Sequence, residues 1–540
     1  MKLSKIYILA AMILCFSSCK KWLDINEDPA NPQVATGEVL LSPIQYQMAN
    51  NVANDYRFVF KYVQFWANQN ADPNWEKHAY ESGSDNGGSI WRMTYFNLGK
   101  NLELMIQDGV DNGKYSFAGI GYAIKAWAYQ MTTDYHGPII LDQALDDERI
   151  SYNYQDQPEV YEKVREWARM ALFYLDKADA KDYSSVLSGI SGDQIYKGDR
   201  GKWKKFVYGL LALQYSHLRN KAEFTSAYAD SVVKYVDLSF ANESESATVN
   251  FNGSNAAESN IFGPSAGLIT STASTSITMG RVTQTIVDLL SGGMRSNTPR
   301  ADTLKNTTTF ATTSVDPRLP RMIAPNTDSV YRGVIPTYGD PNTTKKIPHV
   351  LGSVAAPYPG KYIFADKARF PIMTYSQLQF AKAEALFVKG QTGPAHAAYI
   401  KGIEGHMDFV NRYGLWQGAA ATAPPITAQQ ITAYKASSDV AQTPADLTIA
   451  DIMGQKFVAQ WGWAGLEQWN DLRKYHYDTT VFKTYYLISG SEIDTRNLNK
   501  LVYRVRPRYN SEYIWNRTEL DKWGGLNGDY HTYELWFSKP

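Results

Sequence analysis

The chain has 540 residues, with 54 Lys and Arg against 54 Asp and Glu, so its formal net charge is zero. That balance, with no basic stripe along the sequence, excludes the usual nucleic-acid binder. A chain of this length buries a large core without disulfide staples, and that core takes most of its 37 Tyr and 14 Trp, although rings with a polar tip also suit half-wet interfaces and sugar-stacking surfaces.

The first elements are targeting text. Lys2 and Lys5 precede an uncharged apolar run from Ile6 to Phe16, and Ser17-Ser18 then leads into Cys19. This is the layout of a cleaved signal peptide over residues 1–18, too short for a spanning helix of about 20 apolar residues. Small residues directly before a cysteine read as a lipobox, which makes Cys19 the lipidated first residue of the mature chain. Cys15 leaves with the signal, so the mature chain keeps a single thiol and no internal disulfide. Two lysines leave with it, so the mature balance is 52 cations against 54 anions, a net charge of −2. No second apolar stretch is long enough to span a membrane.

Residues 19–36 are polar and carry Pro29 and Pro32, the text of a tether. Helical periodicity then begins near Glu38. Ile120, Ala123, Ile124, Trp127 and Met131 share one helical face, and Gly137-Pro138 ends that helix. A second helix follows Pro158, and a third places Trp203, Val207, Leu210, Leu211 and Leu218 together. Helices in antiparallel pairs predict a mainly α fold of degenerate TPR-like repeats, an α-α superhelix. One domain over 37–540 is expected, helical over 37–240 and 373–478, loop-rich over 241–372 and 416–447, irregular over 479–540. So much irregular chain is far beyond ordinary loop lengths, and its scattered aromatics favour an ordered ligand-binding region.

Enzyme chemistry finds little footing. His396 and His406 lack ligand spacing, so no metal site or cofactor is expected. Gly119-x-Gly121 lies inside a helical pattern rather than after a strand, and no Gly-x-Ser-x-Gly elbow is present. Glu467 and Asp471, one helical turn apart beside Arg473, fit an ion-pair network better than a glycosidase acid–base pair. For binding, the stretch from Asn68 to Tyr80 is the most suggestive. It joins amides to isolated rings between two helices, and Asn70, Asn74, Trp75 and Tyr80 are its candidate ligand contacts. Tyr331, Tyr338 and Trp416 are further candidates on later loops.

Several segments carry a resemblance. Trp22-Leu23-Asp24-Ile25-Asn26, Asp134-Tyr135-His136-Gly137-Pro138-Ile139, Trp203-Lys204-Lys205-Phe206, Asp316-Pro317-Arg318-Leu319, Ala383-Glu384-Ala385, Trp469-Asn470-Asp471-Leu472-Arg473 and Arg506-Pro507-Arg508-Tyr509 with Glu512 and Asn516 stand in one order. Together they resemble the SusD/RagB family of nutrient-binding outer-membrane lipoproteins. Pro138 directly after Gly137, and Asn510 where a proline is usual, depart from that pattern. The resemblance implies four TPR-like helix pairs carrying a loop-rich ligand face, and no catalysis. It also implies a glycan or peptide ligand and a SusC-like TonB-dependent outer-membrane transporter as partner, with the protein anchored by lipid at the cell surface. A secreted helical glycosidase and a protein-binding TPR-like scaffold are the alternatives.

Overall fold

The computed structural model describes residues 35–269, 279–295, 316–340, 346–353, 359–416 and 424–540. The signal segment, Cys19 and all of the tether before Ala35 lie outside the described residues.

The N-terminal half is a run of antiparallel helices: α1 (Gly37–Tyr62), α2 (Gly99–Asp111), α3 (Tyr115–His136), α4 (Gln157–Asp176), α5 (Arg200–His217) and α6 (Ala229–Leu238). Helix α2 packs on α3, α3 on α4, α4 on α5 and α5 on α6, the pairwise stacking of a TPR-like array. Local signals place the starts. Asp156 caps α4 through the Gln157 amide, with a proline in its first turn, and Asp199 caps α5 through Lys202 N. The expected apolar face of α3 is buried, but so is nearly every other residue of that helix, including Gln130, Thr133 and Asp134. It is a central helix covered on all sides rather than an amphipathic one.

The array resumes with α7 (Tyr375–Val388), α8 (Thr392–Tyr413), α9 (Ile449–Gln460) and α10 (Gly465–Lys474). Helices α7 and α8 pair, α9 packs on both, and α7 also lies against α6, so the second half continues the first. Thr448 and Asp451 form a reciprocal capping box at the start of α9.

The described part of the loop-rich middle is stitched to this frame by two-residue to four-residue antiparallel pairings. Trp66–Ala67 pairs with Arg281–Val282, Ala247–Val249 with Phe370–Met373, and Lys361–Tyr362 with Leu415–Trp416. Arg318 is its deepest pin. Fully buried, it clasps Asp316 and reaches His406 of α8 (2.9 Å) and Gln455 of α9 (2.7 Å). The C-terminal segment from 479 onward has little regular structure yet belongs to the core. Tyr485 Oη donates to Tyr62 O at 2.8 Å, Val505 N to Tyr135 O at 2.9 Å, and Phe537 N to Gln157 Oε1 at 3.1 Å. Among the described residues no helix is long and apolar enough to cross a membrane.

Candidate ligand-binding face

The chain leaving α1 turns sharply, and two buried carboxylates impose that turn. Asp72 forms an ion pair with Lys61 and accepts the amides of Asn74 (2.7 Å) and Trp75 (3.1 Å). Glu76 accepts Asn68 N at 2.5 Å through one oxygen and Thr337 N at 2.6 Å through the other. Burial, reinforced by the nearby Asp72 charge, lifts the Glu76 carboxyl to about 7 against the pull of those two amides. The same residue therefore latches the middle-region loop onto the early one. Asp340 N donates to Gln69 O at 2.6 Å, and Gly339, at φ +73°, has no room for a side chain against residues 69–71.

That latch presents Tyr338, 61% exposed, beside the exposed Asn70. The Tyr338 hydroxyl donates to Glu492 Oε1 at 2.6 Å, and the Tyr486 hydroxyl donates to the same oxygen at 2.6 Å. The two rings stand edge-on with centroids 6.3 Å apart. Partial burial pushes the Glu492 carboxyl up, but hydrogen bonds from Tyr338, Tyr486 and Ser489 N outweigh it and hold the group below its ordinary range. A carboxylate so fixed holds both rings in place, Tyr338 exposed and Tyr486 half-buried behind it. Lys77 clips this C-terminal turn to the early loop, its Nζ donating to Ser491 O at 3.1 Å while Asp494 N donates to Lys77 O at 3.1 Å.

Beyond Lys77 the same loop forms one wall of a cleft of about 210 Å³. The Tyr80 ring lies between two guanidinium groups, Arg506 at 4.2 Å and Arg496 at 4.5 Å. Opposite, Tyr509 and Tyr513 stack at 5.5 Å, and Arg508 bridges to Asp85 at 2.7 Å.

The sequence candidates divide accordingly. Tyr338 and Asn70 stand together on the open face, and Tyr80 lines the cleft, half-buried. Asn74 is half-buried and serves the turn through its backbone. Two expectations are corrected. Trp75, 1% exposed, packs against Phe58 (4.8 Å) and Tyr62 (5.3 Å) because the Asp72 and Glu76 latches fold its loop inward, so it borders the cleft from within the core rather than standing as an open platform. Tyr331, also 1% exposed, is a core residue of the middle region rather than a loop platform. Trp416 pairs through its backbone with Lys361. The sequence reading missed Tyr486, Glu492, Arg506, Tyr509 and Tyr513. The aromatic, basic character of the last sixty residues was the available signal.

Exposed rings offer their faces to the C–H patches of a sugar, while fixed carboxylates and amides take its hydroxyls. Catalytic carboxylates are not available at the one pair singled out in the sequence. Asp471 is bound by Lys456 (2.8 Å) and Lys474 (2.9 Å), and Glu467 by His217 (2.9 Å). Among the described residues no group of three or more His, Cys, Asp or Glu could hold a metal ion.

The fold is shared with solved structures. A SusD/RagB family protein from Bacteroides thetaiotaomicron superposes with a TM-score of 0.66 at 21% identity, covering 93% of this chain and 99% of that one. A SusD homolog from Parabacteroides distasonis gives 0.69 at 16% identity, covering 93% and 98%. A structure described as a chitin-binding protein gives 0.65 at 18%, covering 93% and 100%. Curated protein sequences contain no match to the chain. A family model described as starch-binding and associating with the outer membrane matches residues 29–497, and the chain therefore belongs to the SusD-like family.

Proposed function

We propose that this protein is a cell-surface lipoprotein, anchored through Cys19, that captures glycans without cleaving them and delivers them to a SusC-like TonB-dependent transporter. The observation that supports capture most directly is the exposed Tyr338 ring with the half-buried Tyr486 behind it, both hydrogen-bonded to one oxygen of Glu492 beside the exposed Asn70 amide. Ring faces held rigid by a shared acceptor lose little entropy on stacking against a sugar. Membership of a family described as starch-binding supports the ligand class, and its association with the outer membrane supports the location. The family resemblance and the proposed lipid anchor support delivery to a transporter.

The test is calorimetric titration of the mature chain, Cys19→Ser, against a panel of polysaccharides and peptides, with recovered ligand sized afterwards. Saturable binding of a polysaccharide is expected, with chain length unchanged. Tyr338→Ala combined with Tyr486→Ala is expected to weaken it at least about tenfold, the worth of one to two stacked rings. Shortened ligand would overturn the non-catalytic reading, and binding of peptides alone would overturn the glycan assignment.

A further inference from the structure

A larger concavity adjoins the cleft. It has a volume of about 670 Å³, is walled by Trp91, Tyr95, Phe96 and Tyr152, and shares Arg508 with the cleft. Tyr95 and Tyr152 spend their hydroxyls on the carbonyls of Ile140 (2.6 Å) and Asp146 (2.9 Å), so they offer ring carbon to the space. Such walls suit sugar rings.

The charges along the two concavities do not balance. Arg92, Lys100, Arg506, Arg508 and Arg517 line them, against Glu81, Asp85, Asp147 and Glu512. Lys100 is paired with Asp147 and Arg508 with Asp85, while Glu81 accepts the Asn86 amide at 2.5 Å. Glu512 is buried and already takes the Tyr154 hydroxyl (2.5 Å) and the Asn516 amide (3.0 Å). Three arginines are left with no carboxylate partner among the described residues. Arg92 rests over Phe96 at 5.2 Å, Arg506 bonds only the Tyr513 hydroxyl and the carbonyls of Gly525, Asn527 and Gly528, and Arg517 is exposed. A chain with no net charge has thus gathered cations along one aromatic wall.

We infer that the glycan taken by this face is anionic, its sugar rings lying along the wall from Phe96 to Tyr513 and its carboxylates or sulfates against Arg92, Arg506 and Arg517. Planar guanidinium groups such as those of exposed Arg92 and Arg517 pair with either anion through two parallel hydrogen bonds, while Arg506, its N–H groups largely spent on carbonyls and the Tyr513 hydroxyl, adds its charge. The inference rests on the glycan-binding reading above and narrows its ligand class.

Its test titrates the same Cys19→Ser chain with polygalacturonate, dextran sulfate and neutral dextran at about 20 and about 300 mM NaCl. At low salt at least one polyanion is expected to bind about tenfold or more tighter than dextran, an advantage that shrinks at high salt. Arg92→Gln with Arg517→Gln, both at exposed positions, should remove most of that advantage. Lys181→Gln with Lys197→Gln, exposed lysines lining neither concavity, should leave it intact. Dextran binding as tightly as both polyanions would overturn the inference, as would equal losses in the arginine and lysine variants. A neutral glycan from the wider panel binding while both polyanions fail would sink the anionic assignment and leave glycan capture standing. Failure of every saccharide would remove both. Carboxylate and sulfate recognition separate by which polyanion binds.

Discussion

His217 closes α5 with an acid on each ring nitrogen: Asp134 lies 3.2 Å from Nδ1 and Glu467 2.9 Å from Nε2. Burial alone would depress the imidazole, but the two carboxylates outweigh it and lift the group to about 9. A folded-state value above the unfolded one of about 6.5 contributes stability that is complete below pH 6.5 and lost as pH rises through 9. Urea unfolding across that window is expected to show the wild type losing on the order of 3 kcal/mol relative to His217→Gln. Parallel pH profiles for the two proteins would refute the charged-histidine account. The same scale shows why aromatic candidates were hard to sort. Trp75 and Tyr338 both sit in polar loops with similar neighbours in sequence, yet one is buried and the other open. What separates them is the Asp72 and Glu76 latches, and the partner of Glu76 lies in the middle region. No local pattern in the sequence carries that information.

Between elements, four buried charges join α7, α9 and α10. Lys456 of α9 meets Asp471 of α10 at 2.8 Å, and Lys474 of α10 meets Glu384 of α7 at 2.7 Å and Asp471 at 2.9 Å. The Tyr475 hydroxyl donates to the second Glu384 oxygen at 2.9 Å. Burial raises the Asp471 carboxyl, but the two ammonium groups prevail and hold it at about 2. Removing one cation strands a carboxylate in the core, so Lys456→Met is expected to cost about 3–5 kcal/mol in urea unfolding. A loss below about 1 kcal/mol would mean that the cluster relaxes without it. The sequence marked Glu384 and Asp471 as parts of separate motifs, and their helices were legible from apolar spacing. Their meeting was not, because charge pairing across stacked helices leaves no periodic trace along either one. Helix α3 teaches the complementary lesson: its apolar stripe was visible, but the burial of its polar faces depends on what packs there.

For the molecule as a whole, the proposed anchor and the proposed binding face can be tested separately. If Cys19 carries the lipid, Cys19→Ser should move the protein from the membrane to the soluble fraction of cells, while the purified chain keeps its ligand affinity. Membrane retention of that variant would refute lipid anchoring through this residue. Ligand affinity is expected to survive because the face is built from residues 68–100, 140–152, 335–340 and 484–526, all far from Cys19 in sequence and tied together by hydrogen bonds and ion pairs between distant segments.

The sequence by itself determined the helical class, the order of the paired helices whose apolar faces it displays, and the family motifs. Each of these is written in local spacing, since a helix face recurs every three to four residues and a cap lies within one turn. Only the tertiary structure decided which aromatics meet solvent. Burial is a property of whatever distant chain covers a loop, so Trp75 and Tyr331 vanished into the core while Tyr486 and Tyr513, in the irregular C-terminal text, came to line the face.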